Sequence, residues 1–442
     1  MSYTKQEILR IAKEEDVKFI RLQFTDILGQ LKNVAITLTQ LDKALDGKCM
    51  FDGSSIEGFV RLEESDMYLI PDYDTFVIFP WHQNEGKIAR LICDVYSVDN
   101  KPFIGDPRFV LKRAVKKASD MGYTVNIGPE MEFFLYFMDE TGAPTLNSHD
   151  KGGYFDMSPI DHGGECRRNI CLAIEKMGFE VEASHHEGAP AQHEIDFKYT
   201  QALDAADKIM TFKLVSKSIA KRHGLFATFM PKPKYGINGS GMHINMSLSK
   251  GGGNAFYDEK DEIGLSKAAY SFIAGIMKYI KEFVMLTNPL INSYRRLVPG
   301  YEAPVYIAWS SKNRSPLIRI PTTRGEGTRI ELRCPDPSCN PYLALAAIIT
   351  AGLKGIEEGL IPPESTDSNI FEMTAEERAK KGIYNLPGSL KEAMNYFEKS
   401  DFAREVVGAH IFEKLLEAKK EEYNDFKTRV TQWEIDHYLP KT

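Results

Sequence analysis

The chain has 442 residues, 43% of them hydrophobic and 26% charged, enough to bury a large core and too apolar to stay disordered. A formal net charge of −7 argues against a general binder of nucleic acid or anionic membrane. Six cysteines, at 49, 93, 166, 171, 334 and 339, form no C-x-x-C pair and read as reduced thiols rather than a disulfide or zinc framework. The N-terminus lacks an apolar signal core, and the longest uncharged run, from Pro337 to Leu353, falls short of a membrane span. The expected location is cytoplasmic, with no membrane contact and no direct nucleic-acid binding.

Residues 1–104 read as a small, strand-rich domain. Ile8, Leu9, Ile11 and Ala12 mark one face of a short helix. Strands are expected at Phe19–Phe24 and Asn33–Leu38, with Asp26–Gly29 as the turn between them, then at Phe76–Phe79 and Ala89–Val95. Between the two pairs, Met50–Phe59 gathers glycines and serines around Asp52, which reads as a functional loop. The boundary falls at Lys101–Pro107, leaving residues 105–442 as a second, larger domain that begins with a helix at 107–120.

The next strand organises the rest. In Asn126–Phe137, side chains alternate, so Glu130 and Glu132 share one face about 7 Å apart along the strand. Two carboxylates on an otherwise apolar strand are costly unless something cationic lies between them. A helix is expected at 163–177, followed by a segment, 180–197, in which Glu182, Glu187 and Glu194 stand among three histidines. A helix at 201–223 ends at Gly224, a left-handed capping position. Strands follow at Ala227–Pro231 and Gly239–Leu248, and the last hundred residues are helical and amphipathic.

Two further segments repeat the polar-face pattern. His243, Asn245 and Ser247 alternate with Met242, Ile244, Met246 and Leu248, and Arg329, Glu331 and Arg333 alternate with Ile330 and Leu332. Any one segment fits a half-exposed strand; several together fit strands lining a polar cavity in a barrel-like sheet. If Glu130, Glu132, Glu187, Glu194 and Glu331 converge with His243, their repulsion requires divalent cations. The oxygen-rich set favours Mg²⁺ or Mn²⁺ over zinc. Seven arginines lie between residues 295 and 333: Arg295, Arg296, Arg314, Arg319, Arg324, Arg329 and Arg333. Guanidinium groups suit carboxylate and phosphate oxygens, so metals plus arginines point to phosphoryl transfer from a nucleotide to an anionic acceptor. Neither a G-x-x-x-x-G-K-[ST] loop nor a G-x-G-x-x-G fingerprint is present.

Phe51–Ser55, Lys232–Pro233 followed by Asn238–His243, Asn292–Pro304 and Asn313–Ser315 together resemble type I glutamine synthetase, and the resemblance runs almost end to end. It implies an α+β protein: a small N-terminal β-grasp domain, then a catalytic domain with a curved, antiparallel, barrel-like sheet flanked by helices. It also implies a homo-dodecamer of two stacked hexamers, with active sites between subunits. The implied reaction is ATP-dependent ligation of ammonia to the γ-carboxylate of glutamate through γ-glutamyl phosphate. By motif, Glu132, Glu187 and Glu194 would hold one Mg²⁺ or Mn²⁺, and Glu130, His243 and Glu331 another, with two to three ions per subunit. Asn238, Gly239, Arg296, Glu302 and Arg333 would bind glutamate. Arg314 would sit on the transferred phosphoryl group, and Glu182, Ser247 and Arg329 near ATP. Asp52 would bind ammonium and take its proton, with Glu302 on a closing flap.

Tyr384 resembles the tyrosine adenylylated in one bacterial subtype, but the longer segment expected after Pro387 is absent. The chain instead resembles the shorter, Gram-positive type, in which an arginine at the position of Arg61 would serve glutamine feedback and a nitrogen-regulatory repressor protein is a partner. The competing readings are a γ-glutamyl ligase for another amine, which would remodel the ammonium pocket, and an inactive structural relative, which should have lost metal glutamates. A two-metal hydrolase leaves the arginines unexplained.

Overall fold

The computed structural model describes residues 3–56, 58, 65–81, 86–313 and 315–442. The first helix, α1 (Lys5–Glu14), starts at a Thr4–Glu7 capping box and buries Ile8 and Ala12 one turn apart. It covers a five-stranded sheet made of β1 (Val17–Thr25), β2 (Leu31–Thr37), β3 (Cys49–Asp52), β4 (Asp66–Ile78) and β5 (Lys87–Ser97), with α2 (Leu41–Leu45) before β3. The spatial order is β2-β1-β5-β4-β3, with β1 and β5 parallel and the other neighbours antiparallel.

Two expectations need correction here. The segment from Cys49 to Asp52 is an edge strand paired with β4, not loop, because Cys49 and Phe51 pack toward the small core. The strand expected at Phe76–Phe79 is the end of the much longer β4, which carries Pro71 opposite Cys93 in regular register and shifts register only between Asp72 and Val77.

The large sheet is built around β6 (Thr124–Met138), which carries β7 (Pro144–Ser148) beside its C-terminal end. It is completed by β8 (Val181–His186), β9 (Gln192–Phe197), β10 (Thr200–Gln201), β11 (Leu225–Thr228), β12 (Met242–Lys250) and β13 (Gly253–Asn254). A short pair, β14 (Tyr306–Ile307) with a strand at Tyr384–Asn385, stands apart, and β15 (Trp309–Ser310), β16 (Ile318–Arg319) and β17 (Ile330–Leu332) close the main sheet. Its main path runs β15-β16-β17-β12-β6-β9-β8, giving the curved, barrel-like sheet of the expected α+β class. The strand expected at Ala227–Pro231 ends at Thr228, before the proline-rich Pro231–Lys232–Pro233 turn.

Helices α3 (Pro107–Asp120), α4 (Gly164–Glu175), α5 (Ala202–Arg222), α6 (Lys267–Thr287), α7 (Ser293–Arg296) and α8 (Pro341–Glu357) supply the rest of the core, followed by α9 (Ala375–Lys380), α10 (Leu390–Glu398), α11 (Asp401–Phe426) and α12 (Gln432–Tyr438). Helices α3 and α8 each begin with proline after a capping side chain, Asp106 and Asn340. Gly224 follows α5 at φ +70, as its position predicts. Helices α6 and α8 touch backbone to backbone: a Cβ on Gly355 would lie 2.0 Å from Ser271 O, and one on Gly275 2.1 Å from Ala351 O. No helix among the described residues is long and apolar enough to cross a membrane.

The two sheets are joined by buried polar contacts. Arg108, at the start of α3, binds Asp72 on β4 at 2.7 Å, Asp94 on β5 at 2.7 Å and Asp207 on α5 at 2.8 Å. Tyr342 on α8 donates to the same Asp207 at 2.7 Å. Asn340 Nδ2 donates to the Asp26 carbonyl in the β1–β2 turn at 3.0 Å.

Candidate active site

Strand register assembles the site. Along β6, Val125, Ile127, Met131 and Phe133 face the core, leaving Glu130 and Glu132 on the other face. His243 on β12 and Asp196 on β9 stand directly opposite Glu130, on its two sides, and Glu194 stands opposite Glu132. One strand further out, Glu331 on β17 pairs with Asn245, and His185 on β8 pairs with Glu194. Four polar-faced segments far apart in sequence therefore form one band across the sheet.

Within that band two groups have ligand atoms within 4.8 Å of one another: Glu130 with His243 and Glu331, and His185 with Glu187 and Glu194. The first matches the expected triplet. In the second, His185 stands where Glu132 was expected. Glu132 instead accepts hydrogen bonds from Gly241 N at 3.0 Å and Gln192 Nε2 at 2.8 Å.

The electrostatics show what the band lacks. Burial and the neighbouring Glu132 and Asp196 push Glu194 far above the usual carboxylate range. Burial, with Glu187 adding to it, raises Glu132 as well, against the pull of His243. Asp196 is raised by burial and by Glu130 opposite. Burial would raise Glu130 too, but hydrogen bonds from His243 at 3.1 Å and Asn245 at 2.8 Å outweigh it and hold it low. Glu331, 1% exposed, is clasped by Arg333 and by Arg319 at 2.7 Å. Half of the band thus has arginine partners in direct contact; among the described residues no lysine or arginine forms an ion pair with Glu132, Glu187 or Glu194, and the pull of His243 and Arg296 does not offset burial at Glu132, so ionising this half calls for a bound cation. Its ligands, mostly carboxylates with imidazole, suit Mg²⁺ or Mn²⁺.

Beside the band lies a small cavity whose lining includes Glu132, Glu187 and His243 together with Asn238, Gly239, Arg296, Glu302 and Arg333. All five residues expected to hold glutamate therefore meet two of the carboxylates expected to hold metal, Glu132 and Glu187, in one space. Arg296 is 3% exposed and is aimed by the carbonyls of Cys334, at 2.7 Å, and Arg333, at 3.1 Å. Gly241 makes room for it: a Cβ there would lie 2.5 Å from Arg296 Nη2. Glu302 has φ 57, unusual for a residue with a side chain, and accepts from Asn238 Nδ2 at 3.3 Å. A relay leads from the other end of the band. Arg329 Nε donates to Asn245 Oδ1 at 3.0 Å, and the Asn245 amide donates on to Glu130. Ser247 lies further along the same face of β12 and Glu182 is exposed at the start of β8.

Asp52 is not part of this assembly. It is exposed at the end of edge strand β3, accepts from Ser54 N at 2.8 Å, and lines neither the cavity nor the ligand groups. Hydrogen bonds from Ser54 hold its carboxyl below the usual range. Arg314 and Arg61 lie outside the described residues.

Four residues of the assembly were not singled out from the sequence as site residues: His185, Gln192, Asp196 and Arg319. Asp196 carried a signal, since it shares strand parity with Glu194. His185, Gln192 and Arg319 reach the site through cross-strand register and a side-chain hydrogen bond, which no local pattern shows.

Comparison with known proteins agrees with this architecture. The glutamine synthetase β-grasp domain matches residues 16–98, and the glutamine synthetase catalytic domain matches residues 104–438. A glutamine synthetase of Clostridium saccharobutylicum is 62% identical over 439 residues, covering 99% of both chains. One of Staphylococcus aureus is 57% identical over 439 residues, covering 99% of this chain and 98% of the relative. Among solved structures, one titled GmaS/ADP complex superposes with a TM-score of 0.89 at 30% identity, covering 98% of this chain and 99% of that one. The cryo-EM structure of Plasmodium falciparum glutamine synthetase gives 0.87 at 26% identity, covering 99% of each chain. With both domain matches in chain order and near-complete coverage by relatives at this identity, the chain belongs to the glutamine synthetase family.

Proposed function

We propose that the chain ligates ammonia to the γ-carboxylate of L-glutamate at the expense of ATP, through γ-glutamyl phosphate, releasing glutamine, ADP and phosphate. The observation that carries this reading is the shared cavity. Its carboxylates and imidazole suit divalent cations, and the same cavity is lined by Arg296, Arg333, Asn238 and Gly239, which suit a small, charged acceptor. The family is metal- and ATP-dependent.

In the proposed mechanism, Glu132, Glu187 and Glu194, with His185 beside them, hold one ion, and Glu130, His243 and Glu331 hold another. Bound Mg²⁺ or Mn²⁺, two to three per subunit, would supply the positive charge that phosphoryl transfer needs. Arg296 and Arg333 orient the acceptor's carboxylates, and Asn238 and Gly239 bind its polar end. Arg329, with Asn245 fixing its guanidinium, faces the nucleotide together with Ser247 and Glu182, and Arg314 neutralises the phosphoryl group in flight. Glu302 covers the acyl phosphate so that ammonia, not water, attacks it. Asp52 takes the proton that makes ammonium nucleophilic. Since Asp52 lies outside the cavity of its own chain, the proposed assembly is a dodecamer of two hexameric rings in which each site takes its Asp52 from a neighbour. Cytoplasmic location, glutamine feedback through Arg61 and a nitrogen-regulatory repressor partner belong to the same reading.

The test is phosphate release from ATP with glutamate and Mg²⁺, comparing ammonia with a panel of primary amines. Turnover with ammonia well above every amine supports the reading. Preference for an alkylamine reassigns the chain to a γ-glutamyl ligase of another amine, and phosphate release without any amine dependence rules out both.

A further inference from the structure

Gln192, at the start of β9, is 1% exposed and lies between a carboxylate expected to hold metal and a backbone segment expected to hold glutamate. Its carboxamide makes three hydrogen bonds. Nε2 donates to Glu132 Oε2 at 2.8 Å and to the Gly239 carbonyl at 3.1 Å, and Oε1 accepts from Ala189 N at 3.2 Å. Chemistry settles which way the amide points. Ala189 N can only donate and Gly239 O can only accept, so the side-chain oxygen faces the first and the nitrogen the second. Both N–H groups and the oxygen are thus engaged out of reach of solvent.

Each bond fixes a different part of the site. Glu132 Oε2 also accepts from Gly241 N at 3.0 Å, so one carboxylate oxygen is held from two sides and Oε1 is left for an ion. The bond to Gly239 takes one of that carbonyl's two lone pairs and leaves the other for a donor on the bound acceptor. The third bond closes the turn after Glu187. There Glu187 N donates to Gln192 O at 2.8 Å and Gln192 N donates to Ala189 O at 3.0 Å, while Ala189 N bonds back to the side chain. Closing that turn needs only the backbone and Oε1, which a glutamate would supply as well. The two N–H groups serve nothing in the turn; both run outward, to Glu132 and to Gly239.

We propose that Gln192 is a positioning residue for both ligands of the site, aiming the Glu132 carboxylate at the cation and the Gly239 carbonyl at the acceptor. The inference rests on the functional reading above and adds that cation and glutamate binding depend on one side chain. A carboxylate already oriented by its hydrogen-bond donors loses less freedom when it takes an ion, and the same holds for a carbonyl that receives a substrate donor. Partners of this kind behind a metal ligand contribute about tenfold or more to metal affinity.

The experiment compares full-length wild type, Gln192→Glu, Gln192→Met and Glu331→Ala. Gln192→Glu keeps the size and the oxygen that closes the turn but has no N–H; Gln192→Met removes both. Mn²⁺ binding is measured by titration calorimetry without nucleotide, and KM and kcat are measured for each substrate. In both Gln192 variants one Mn²⁺ ion should bind about tenfold more weakly, while the ion lost in Glu331→Ala binds as before. KM for glutamate should rise about tenfold, with KM for ATP and kcat at saturating Mn²⁺ and glutamate within about threefold of wild type. Wild-type Mn²⁺ affinity and glutamate KM in Gln192→Glu would reduce Gln192 to a turn residue and overturn the proposal. So would a uniform loss over both ions and every KM together with a lowered melting temperature, the mark of a structural defect. If Gln192→Met fails to fold, the isosteric Gln192→Glu still decides. Wild-type protein that binds no Mn²⁺ would remove the functional reading along with this one, whereas Mn²⁺ and glutamate bound alike by wild type and both variants remove this one alone.

Discussion

Glu331 illustrates how much one side chain depends on its setting. It is fully buried, pairs across the sheet with Asn245, lies with Glu130 and His243 in one ligand group, and is clasped by Arg319 and Arg333. Glu331→Ala should lower synthesis about a thousandfold or more at saturating Mg²⁺, since a metal-held charge contributes several kcal/mol to the transition state. Near-normal turnover would remove Glu331 from the metal site. Asn245 offers a subtler test, because its amide links Arg329 to Glu130. Asn245→Ala should raise KM for ATP about tenfold with a smaller change in kcat, as expected for losing hydrogen bonds to charged groups. The alternation of Glu130 with Glu132, of His243 with Asn245, and of Arg329 with Glu331 was legible in the sequence, because strand parity is a local property. Which strands lie side by side is not local. That is why His185 and Arg319, though noted among the histidines and arginines, were not assigned to the site although each is one strand from a recognised glutamate.

Helix ends and crossings carry the element-scale energetics. Asn340 caps α8 by accepting from Tyr342 N at 3.1 Å and also donates to the Asp26 carbonyl in the β1–β2 turn of the small domain. Asn340→Ala should cost about 1–3 kcal/mol of stability in urea unfolding, by losing a cap and a buried hydrogen bond to the Asp26 carbonyl, which keeps only its bond from Gly29 N. Asn340→Asp, which keeps the cap but not the donor, should fall between. The α6–α8 contact is stricter. Gly355→Ala puts a methyl group into Ser271 O, with no flexible side chain to give way, so it should lower the melting temperature by an amount matching about 1–3 kcal/mol or more. Asp106, the cap of α3, gives a pH signature. Burial, with Asp94 nearby, raises its pKa from 3.8 to about 7 in the folded chain. The folded state therefore holds this proton more tightly than the unfolded state, and the associated stability is present at low pH and lost as pH rises from about 4 to 7. Unfolding measured from pH 5 to pH 8 should show a slope that flattens in Asp106→Asn; an unchanged slope would assign it elsewhere. The capping signals at Asp106 and Asn340 were visible as Asp-Pro and Asn-Pro pairs. The edge strand at Cys49–Asp52 was hidden by the glycine and serines that follow it.

At the scale of the whole molecule, the separation of Asp52 from the cavity is the feature to test. If a neighbouring chain supplies it, Asp52→Ala and Glu331→Ala should each be nearly inactive, while rings formed by co-expressing both should regain about a quarter of wild-type activity, the chance that two intact halves meet. Normally assembled mixed rings as inactive as their parents would show that each site is built within one chain. The Arg108 cluster decides what kind of motion could bring such halves together. With Asp72 and Asp94 from the small sheet and Asp207 from α5 of the large domain all gripping a single buried guanidinium, bending between the domains would leave charges stranded in a low-dielectric interior. The two domains are therefore effectively welded, and a chain of this design has no hinge of its own. Opening and closing around substrate must be done by surface segments such as the one bearing Glu302, or by one rigid chain tilting against the next. Stiffness inside each subunit would then make any such tilt felt by both of its neighbours, so that the occupancy of one site becomes mechanical information for the sites on either side.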